Sequence, residues 1–223
     1  TVVSDKPKCL ADIQGNPFLA YILRQISQYQ IRQLVLSVGY LKEMVMQFME
    51  QLQPALPFPV CYATEDEPLG TGGAVMHAMS YCQTDDVLVL NGDTMFDVNL
   101  DVLVAFQKQK QSDCTLALKP MAAADRYGLV DLNADHQITA FHEKKAGSSG
   151  LINGGVYCLY RSAFISLPFE QVFSFEKDYL ETYLHERQFN GLVQDHYFID
   201  IGIPDDYTKA CIELPQRFPL YTH

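Results

Sequence analysis

The apolar positions change period along the chain, and the changes outline its architecture. Phe18, Leu19, Ile22, Leu23 and Ile26 recur at helical spacing behind Asn16-Pro17, a cap residue followed by a proline suited to a first helical position. Leu34-Val35-Leu36-Ser37-Val38 is short and mostly apolar, which predicts a buried strand. Leu41, Met44, Val45, Phe48, Met49 and Leu52 repeat at i, i+3, i+4 and i+7 and predict an amphipathic helix whose Met-rich stripe packs into the core. Further along, a strand is expected over 58–63, a helix opening on glycines over 72–81, a strand over 87–90, a helix over 100–109 and a strand over 115–119. This rhythm implies an α/β, Rossmann-like, mainly parallel sheet with helices on both faces. Sheets of that kind bind ligands beyond the carboxyl ends of their strands.

The second half changes character. Strand patterns over 128–132, 137–143 and 154–160 follow one another without helices, which predicts antiparallel strands. A helix is expected over 174–186, strands over 192–194 and 196–200, and a last helix from Pro204. The loop Ala146-Gly147-Ser148-Ser149-Gly150 is too short to separate domains, so residues 1–223 read as one domain with halves 1–119 and 120–223.

Composition narrows the function. A formal net charge of -11 repels nucleic-acid backbones and argues against a polynucleotide partner. The 6 cysteines are dispersed and form no Cys-x-x-Cys pair, so they read as free thiols of a reducing compartment. No apolar run approaches the ~20 residues of a membrane span, and no signal peptide stands out. These features predict a cytoplasmic protein with no membrane partner. Apolar stripes serve a core or a homo-oligomer interface equally well and do not choose between them.

Candidate chemistry concentrates at strand ends. The run Val87-Leu88-Val89-Leu90 ends in Asn91-Gly92-Asp93, which is good turn chemistry but also sets a carboxylate where substrates bind. Asp200 lies in the apolar stretch Phe198-Ile199-Asp200-Ile201-Gly202, where a helix-capping or solvated role competes with a functional one. A buried carboxylate without a partner is costly, and a metal ion would remove that cost. Magnesium takes hard oxygen ligands, often one or two carboxylates plus substrate phosphates, so Asp93 and Asp200 form a candidate pair if the fold joins their loops. Glu65 to Ala74 carries a glycine-rich turn between a strand and a helix, whose backbone amides could receive an anion or a ligand edge. Basic residues are scarce; Lys8 and Lys144 lie near predicted loops, although a solvated surface is the commoner fate of a lysine. The histidines show no metal spacing, and no Ser-His-Asp or Cys-His arrangement stands out.

Taken in order, these residues resemble a family. Asp5-Lys6-Pro7-Lys8-Cys9-Leu10 is similar to the lysine motif of the sugar-1-phosphate nucleotidyltransferases, and Glu67-Pro68-Leu69-Gly70-Thr71-Gly72-Gly73-Ala74 to their glycine loop. Asn91-Gly92-Asp93, Arg126-Tyr127-Gly128, Phe141-His142-Glu143-Lys144, Ile152-Asn153-Gly154-Gly155 and Ile199-Asp200-Ile201-Gly202-Ile203-Pro204 follow in the family's order across nearly the whole chain. The resemblance implies the nucleotide-diphospho-sugar transferase fold, with a nucleotide-binding first half and a sugar-phosphate-binding second half. It implies that Lys8 contacts the nucleotide's phosphates, that Glu65, Gly70, Thr71 and Gly92 bind the nucleotide, and that Asp93 and Asp200 hold Mg2+. It further implies that Tyr127, Gly128, Glu143, Asn153 and Gly154 line the sugar pocket and that Lys144 binds the sugar's phosphate. Lys8, Asp93 and Asp200 would be the catalytic residues. The reaction would join a nucleoside triphosphate to a sugar 1-phosphate and release pyrophosphate.

The details look closest to bacterial guanylyltransferases acting on D-glycero-α-D-manno-heptose 1-phosphate, which would make GTP the nucleotide. Mannose 1-phosphate guanylyltransferases share much of the pattern. A non-catalytic sugar-nucleotide-binding regulatory subunit is the alternative of another class, and a glycosyltransferase is disfavoured because Asn91-Gly92-Asp93 stands in place of Asp-x-Asp. The family opens with a strand and a Gly-Gly-x-Gly-Thr-Arg-Leu loop that would precede Thr1. Ile203 stands where the family often has threonine.

Overall fold

A computed structural model of the chain describes residues 5–220. Thr1, where the expected upstream strand would join, and His223 lie outside the described residues. A 3-10 turn over Lys8–Leu10 is followed by a small hairpin, β1 (Asp12–Ile13) against β2 (Asn16–Pro17), which leads into α1 (Phe18–Ile26). Here the expectation at Asn16 is corrected. Asn16 pairs with Ile13 across the hairpin, Pro17 is the extended residue before the helix, and no side chain caps it. The turn wins because Gly15 adopts a positive φ of 88° and donates its N–H to Asp12 Oδ2 (3.1 Å). α1 buries Phe18, Leu19, Tyr21, Ile22, Leu23 and Ile26. Gln25 is also buried, and its Nε2 is satisfied by the Phe96 carbonyl at 2.7 Å.

β3 (Leu34–Val38) and β4 (Val60–Thr64) pair in parallel around α2 (Lys42–Leu52). The Met-rich stripe of α2 buries Val45 and Met49, while Met44 is exposed. α3 (Gly70–Met79), β5 (Asp86–Leu90), β6 (Thr94–Phe96), α4 (Leu100–Lys110) and β7 (Cys114–Met121) follow, then β8 (Leu129–Leu132), β9 (Ile138–His142) and β10 (Gly150–Tyr160). After the short α5 (Arg161–Ile165) come β11 (Phe189–Val193), β12 (Phe198–Asp200) and α6 (Pro204–Arg217).

The long strand β10 is the hub of the sheet. It pairs antiparallel with β5, β7 and β8, β8 carries β9, and β7 pairs in parallel with β11. β5, β7 and β11 therefore run in one direction, with β10 reversed between β5 and β7. The two halves of the chain interlock through these ladders, because β5 and β7 belong to the first and β10 and β11 to the second. β3 and β5 are not paired with each other. A cleft of about 660 Å³ lies between them, lined by the whole of β3, by Val87 to Leu90 of β5, and by α1 residues including Leu19, Ile22 and Leu23.

One expected helix winds differently. Residues 174–186 were to form an α-helix, yet Phe175–Glu181 is a π-helical turn followed by irregular turns. Its buried residues Phe175, Tyr179 and Leu180, with Leu184 beyond, recur at spacings of four and five. Wider winding brings that spacing onto one face, where Phe175 and Tyr179 pack against Phe164 with ring centroids 5.7 and 4.8 Å away. No helix among the described residues is long and apolar enough to cross a membrane.

Candidate active site

Two strand ends from opposite halves build the first part of the site. β6 pairs antiparallel with β12, setting Asp200 opposite Thr94, and the Ile201 N–H donates to the Asp93 carbonyl at 3.1 Å. Asp93 and Asp200, far apart in sequence, thereby come to one place, as the candidate pair required. Lys8 joins them: its Nζ lies 3.1 Å from Asp93 Oδ2. Burial pushes the Asp200 carboxyl above its ordinary value; the Gly202 N–H, donating to Oδ1 at 2.7 Å, opposes the rise and the negative charge of Asp93 adds to it. The Tyr127 hydroxyl is pushed up to about 12 by burial and by Asp200.

Two hard carboxylates that repel each other, one of them half-buried, suit a divalent cation that completes its shell with phosphate and water. Among the described residues no group of three or more His, Cys, Asp or Glu could hold a metal, so protein ligands alone would not fill such a shell.

The glycine loop behaves otherwise than its sequence suggested. The N–H groups of Gly72 and Gly73, expected to be free for an anion, donate to the Phe173 carbonyl at 2.9 and 3.4 Å. The glycines are there for close approach. A Cβ on Gly70 would lie 2.6 Å from the Phe173 carbonyl oxygen, one on Gly72 2.2 Å from the Phe173 ring, and one on Gly73 2.5 Å from the Gln171 carbonyl oxygen. Gly70 also has a φ of +71°. Thr71 Oγ1 accepts from the Phe175 N–H at 2.9 Å. Glu65 clamps the loop's start, accepting from Ser37 Oγ and from the Leu69 N–H, each at 3.1 Å. Gly92 lines the cleft between β3 and β5, together with Asn91, Gly39 and Tyr40.

A second pocket of about 200 Å³ adjoins Asp200. Tyr127, Gly128, Lys144 and Asn153, which the family resemblance places on the sugar side, line it together. Glu143 and Gly154 are not among its lining residues. Glu143 follows the end of β9 between two residues that do line it, His142 and Lys144. Gly154 is packed beneath, where a Cβ would meet the Phe96 ring at 2.2 Å. Asn153 is positioned by a bulge: the β10–β7 register shifts between Asn153 and Tyr157, and Gly155 adopts a φ of +72°. Its side chain is fixed at both ends, with Oδ1 accepting from the Gly155 N–H at 3.1 Å and Nδ2 donating to Tyr157 Oη at 2.9 Å.

Sequence reasoning missed Arg126, His142, Glu176 and Glu181, which also line this pocket. Arg126 and His142 stood inside quoted motifs, so adjacency to Tyr127 and Lys144 was a usable signal. Arg126 forms an ion pair with Asp206 at the start of α6. Glu176 carried no signal beyond its position in an expected helix start.

The pattern of the Nucleotidyl transferase family matches residues 3–217. The chain is 42% identical over 214 residues to a D-glycero-alpha-D-manno-heptose 1-phosphate guanylyltransferase of Aneurinibacillus thermoaerophilus, covering 96% of this chain and 92% of that protein. It is 36% identical to the protein of the same name from Campylobacter jejuni subsp. jejuni, covering 93% and 90%. The structure of HddC from Yersinia pseudotuberculosis complexed with GMP-PN superposes with a TM-score of 0.84 at 32% identity, over 95% of this chain and 91% of that one.

Proposed function

Because this chain belongs to the nucleotidyl transferase family, we propose that it transfers a guanylyl group from GTP to D-glycero-α-D-manno-heptose 1-phosphate, forming a GDP-sugar and pyrophosphate. The observation that carries this reading is the meeting of Lys8, Asp93 and Asp200 at the mouth of a pocket that also holds Lys144 and Asn153. The likeness to HddC, solved with GMP-PN, and to two heptose 1-phosphate guanylyltransferases supports guanine and heptose as the pair of specificities.

The chain's own groups act mainly by placing charge. Lys8 is in position to release Asp93 and neutralise the triphosphate, and Lys144 to hold the sugar's phosphate so that one of its oxygens meets the α-phosphorus. The bond from the α-phosphorus to its bridging oxygen breaks as the new one forms, and pyrophosphate leaves. The sugar phosphate is already ionised, so no general base is required. Asp93 and Asp200 are the residues to hold Mg2+, which when bound offsets the charge gathered on the transferring phosphate. Gly70, Thr71, Glu65 and Gly92 form the nucleotide wall; Tyr127, Gly128 and Asn153, with Glu143 and Gly154 behind them, shape the sugar side.

The cleft between β3 and β5 bears on the nucleotide side. Two strands face it, each paired among the described residues on its other edge only, and Pro7 and Cys9 lie at its margin. Gly92, expected on the nucleotide side, lines it together with Asn91 and Gly39. The 6 cysteines, all free thiols among the described residues, support a cytoplasmic setting. The direct test is to incubate the full-length protein with GTP, Mg2+ and the heptose 1-phosphate and to weigh the products. A GDP-heptose ion is expected; unreacted substrates from a folded protein would overturn the proposal.

A further inference from the structure

Glu176 is the least explained side chain of the second pocket. It opens the π-helical turn, whose wide winding is visible where the Thr182 N–H reaches back five residues to the Lys177 carbonyl at 3.2 Å. Such turns are rare and recur at functional sites. The winding has a consequence here: Glu176, Leu180 and Glu181 all line the pocket. In an α-helix of 3.6 residues per turn, residue i+5 would fall well away from residue i.

The turn is anchored firmly. The Phe175 ring lies 4.9 Å from that of Tyr157, the Phe175 N–H is held by Thr71, and Ser174 Oγ accepts from the Lys177 N–H at 3.2 Å. Glu176 is thus an exposed carboxylate on a fixed backbone, turned into a pocket.

Its neighbour Asn153 is largely committed within the protein. One amide hydrogen goes to Tyr157 Oη and the other points at Glu176 Oε1, 3.4 Å away. Among the described residues no other donor reaches Glu176. Its second oxygen remains a free acceptor, which is the complement of a hydroxyl hydrogen. Arg126 and Lys144 line the same pocket with the opposite charge. A ligand with one phosphate and a neutral polyol body would be oriented by this polarity: phosphate toward the cations, hydroxyls toward the carboxylate.

We propose that Glu176 is a specificity-determining residue that accepts a hydrogen bond from a hydroxyl of the sugar ring, with Asn153 holding the carboxylate in place. This rests on the proposed sugar-phosphate reading of the pocket.

The test is calorimetric binding of mannose 1-phosphate and of its monodeoxy analogues to full-length protein saturated with Mg2+ and a non-hydrolysable GTP analogue. Pyrophosphate release with GTP is measured alongside. Charged hydrogen bonds of this kind predict that Glu176→Ala weakens mannose 1-phosphate binding roughly 10- to 100-fold. Affinity for the GTP analogue should stay within about twofold, since that ligand does not use the interaction. One deoxy analogue should be penalised by wild type and by about the same factor less in Glu176→Ala, the signature of a deleted pair. Glu176→Gln, which keeps shape and removes charge, should fall between and guards against misfolding of the alanine variant. An unchanged affinity in both variants, a deoxy penalty that survives Glu176→Ala, or wild type that binds none of the sugar phosphates would overturn the proposal. Wild type that binds mannose 1-phosphate with the Glu176 dependence but releases no pyrophosphate with any sugar phosphate would instead sink the transferase reading and leave Glu176 assigned.

Discussion

At Asp93 and Asp200 the fold gathers negative charge that it only partly offsets. Lys8 pairs with Asp93, while Asp200 remains half-buried with its carboxyl raised. If Asp93 and Asp200 hold a divalent cation, Asp93→Asn should lower Mg2+-dependent turnover by about 100-fold or more, since electrostatic stabilisers commonly contribute that much. A steady-state assay across Mg2+ concentrations checks this, and full activity in the variant would show that the metal is held elsewhere. Cys9, beside this cluster, gives a second prediction. Burial, reinforced by Asp93, pushes its thiol up to about 11, so it stays protonated at neutral pH and is a poor nucleophile. Iodoacetamide labelling of the Cys9 peptide, followed by mass spectrometry, should be slow at pH 7. It should accelerate about tenfold per pH unit as the pH approaches 10, tracking the thiolate fraction. Rapid labelling at pH 7 would contradict the burial argument. Individual residues were legible where chemistry follows from type and local setting. The carboxylates after Val87 to Leu90 and in Phe198-Ile199-Asp200 stood out because an acid in an apolar run is costly. Glu176 did not, since an acid in the first turn of an expected helix is ordinary.

The elements divide in the same way. Strands and helices with clean periodicity were legible, among them α1, α2, β3, β5 and β7, because local burial alone decides them. The hairpin at Asp12 to Pro17 was not, because a turn held by Gly15 outcompeted a plausible helix cap. The π-helical turn was not, because its winding is set by aromatic partners such as Phe164 that precede it in the chain. The glycine loop is the instructive case. Its composition announced unusual backbone, but its partner, the Gln171 to Phe173 segment, cannot be seen from the loop itself. Gly73→Ala tests the close-approach explanation, since the new Cβ would meet the Gln171 carbonyl oxygen at 2.5 Å and Leu69 Cβ at 2.9 Å. The ~1 kcal/mol that alanine gains over glycine within a helix should be outweighed by an overpacking cost of about 1–3 kcal/mol. A net fall in Tm of up to several degrees, followed by circular dichroism, is expected at this chain length. A higher Tm would mean that the segment yields and that the glycine serves the ligand instead.

Across the whole molecule, the pairing of halves is what sequence could not supply. The β6–β12 ladder joins Asp93 to Asp200, the β10 bulge sets Asn153, and Thr71 touches Phe175 just ahead of Glu176. Each contact links a nucleotide-side element to a sugar-side one, so the site exists only in the closed fold. Charge is organised at the same scale. A chain of net charge -11 must bind two anionic substrates, and its cations Lys8, Arg126 and Lys144 stand at or beside the site. The family order of motifs was readable because it depends on residue identity alone, whereas the sharing of contacts between halves depends on topology.

The guanylyltransferase assignment is tested most directly by pyrophosphate release from the full-length protein with Mg2+. The assay crosses GTP, CTP, UTP, ATP and dTTP with heptose, mannose and glucose 1-phosphates. Release should be greatest with GTP and D-glycero-α-D-manno-heptose 1-phosphate and should stop when the metal is chelated. No release in any combination from a folded protein, or equal release with the metal removed, would contradict it.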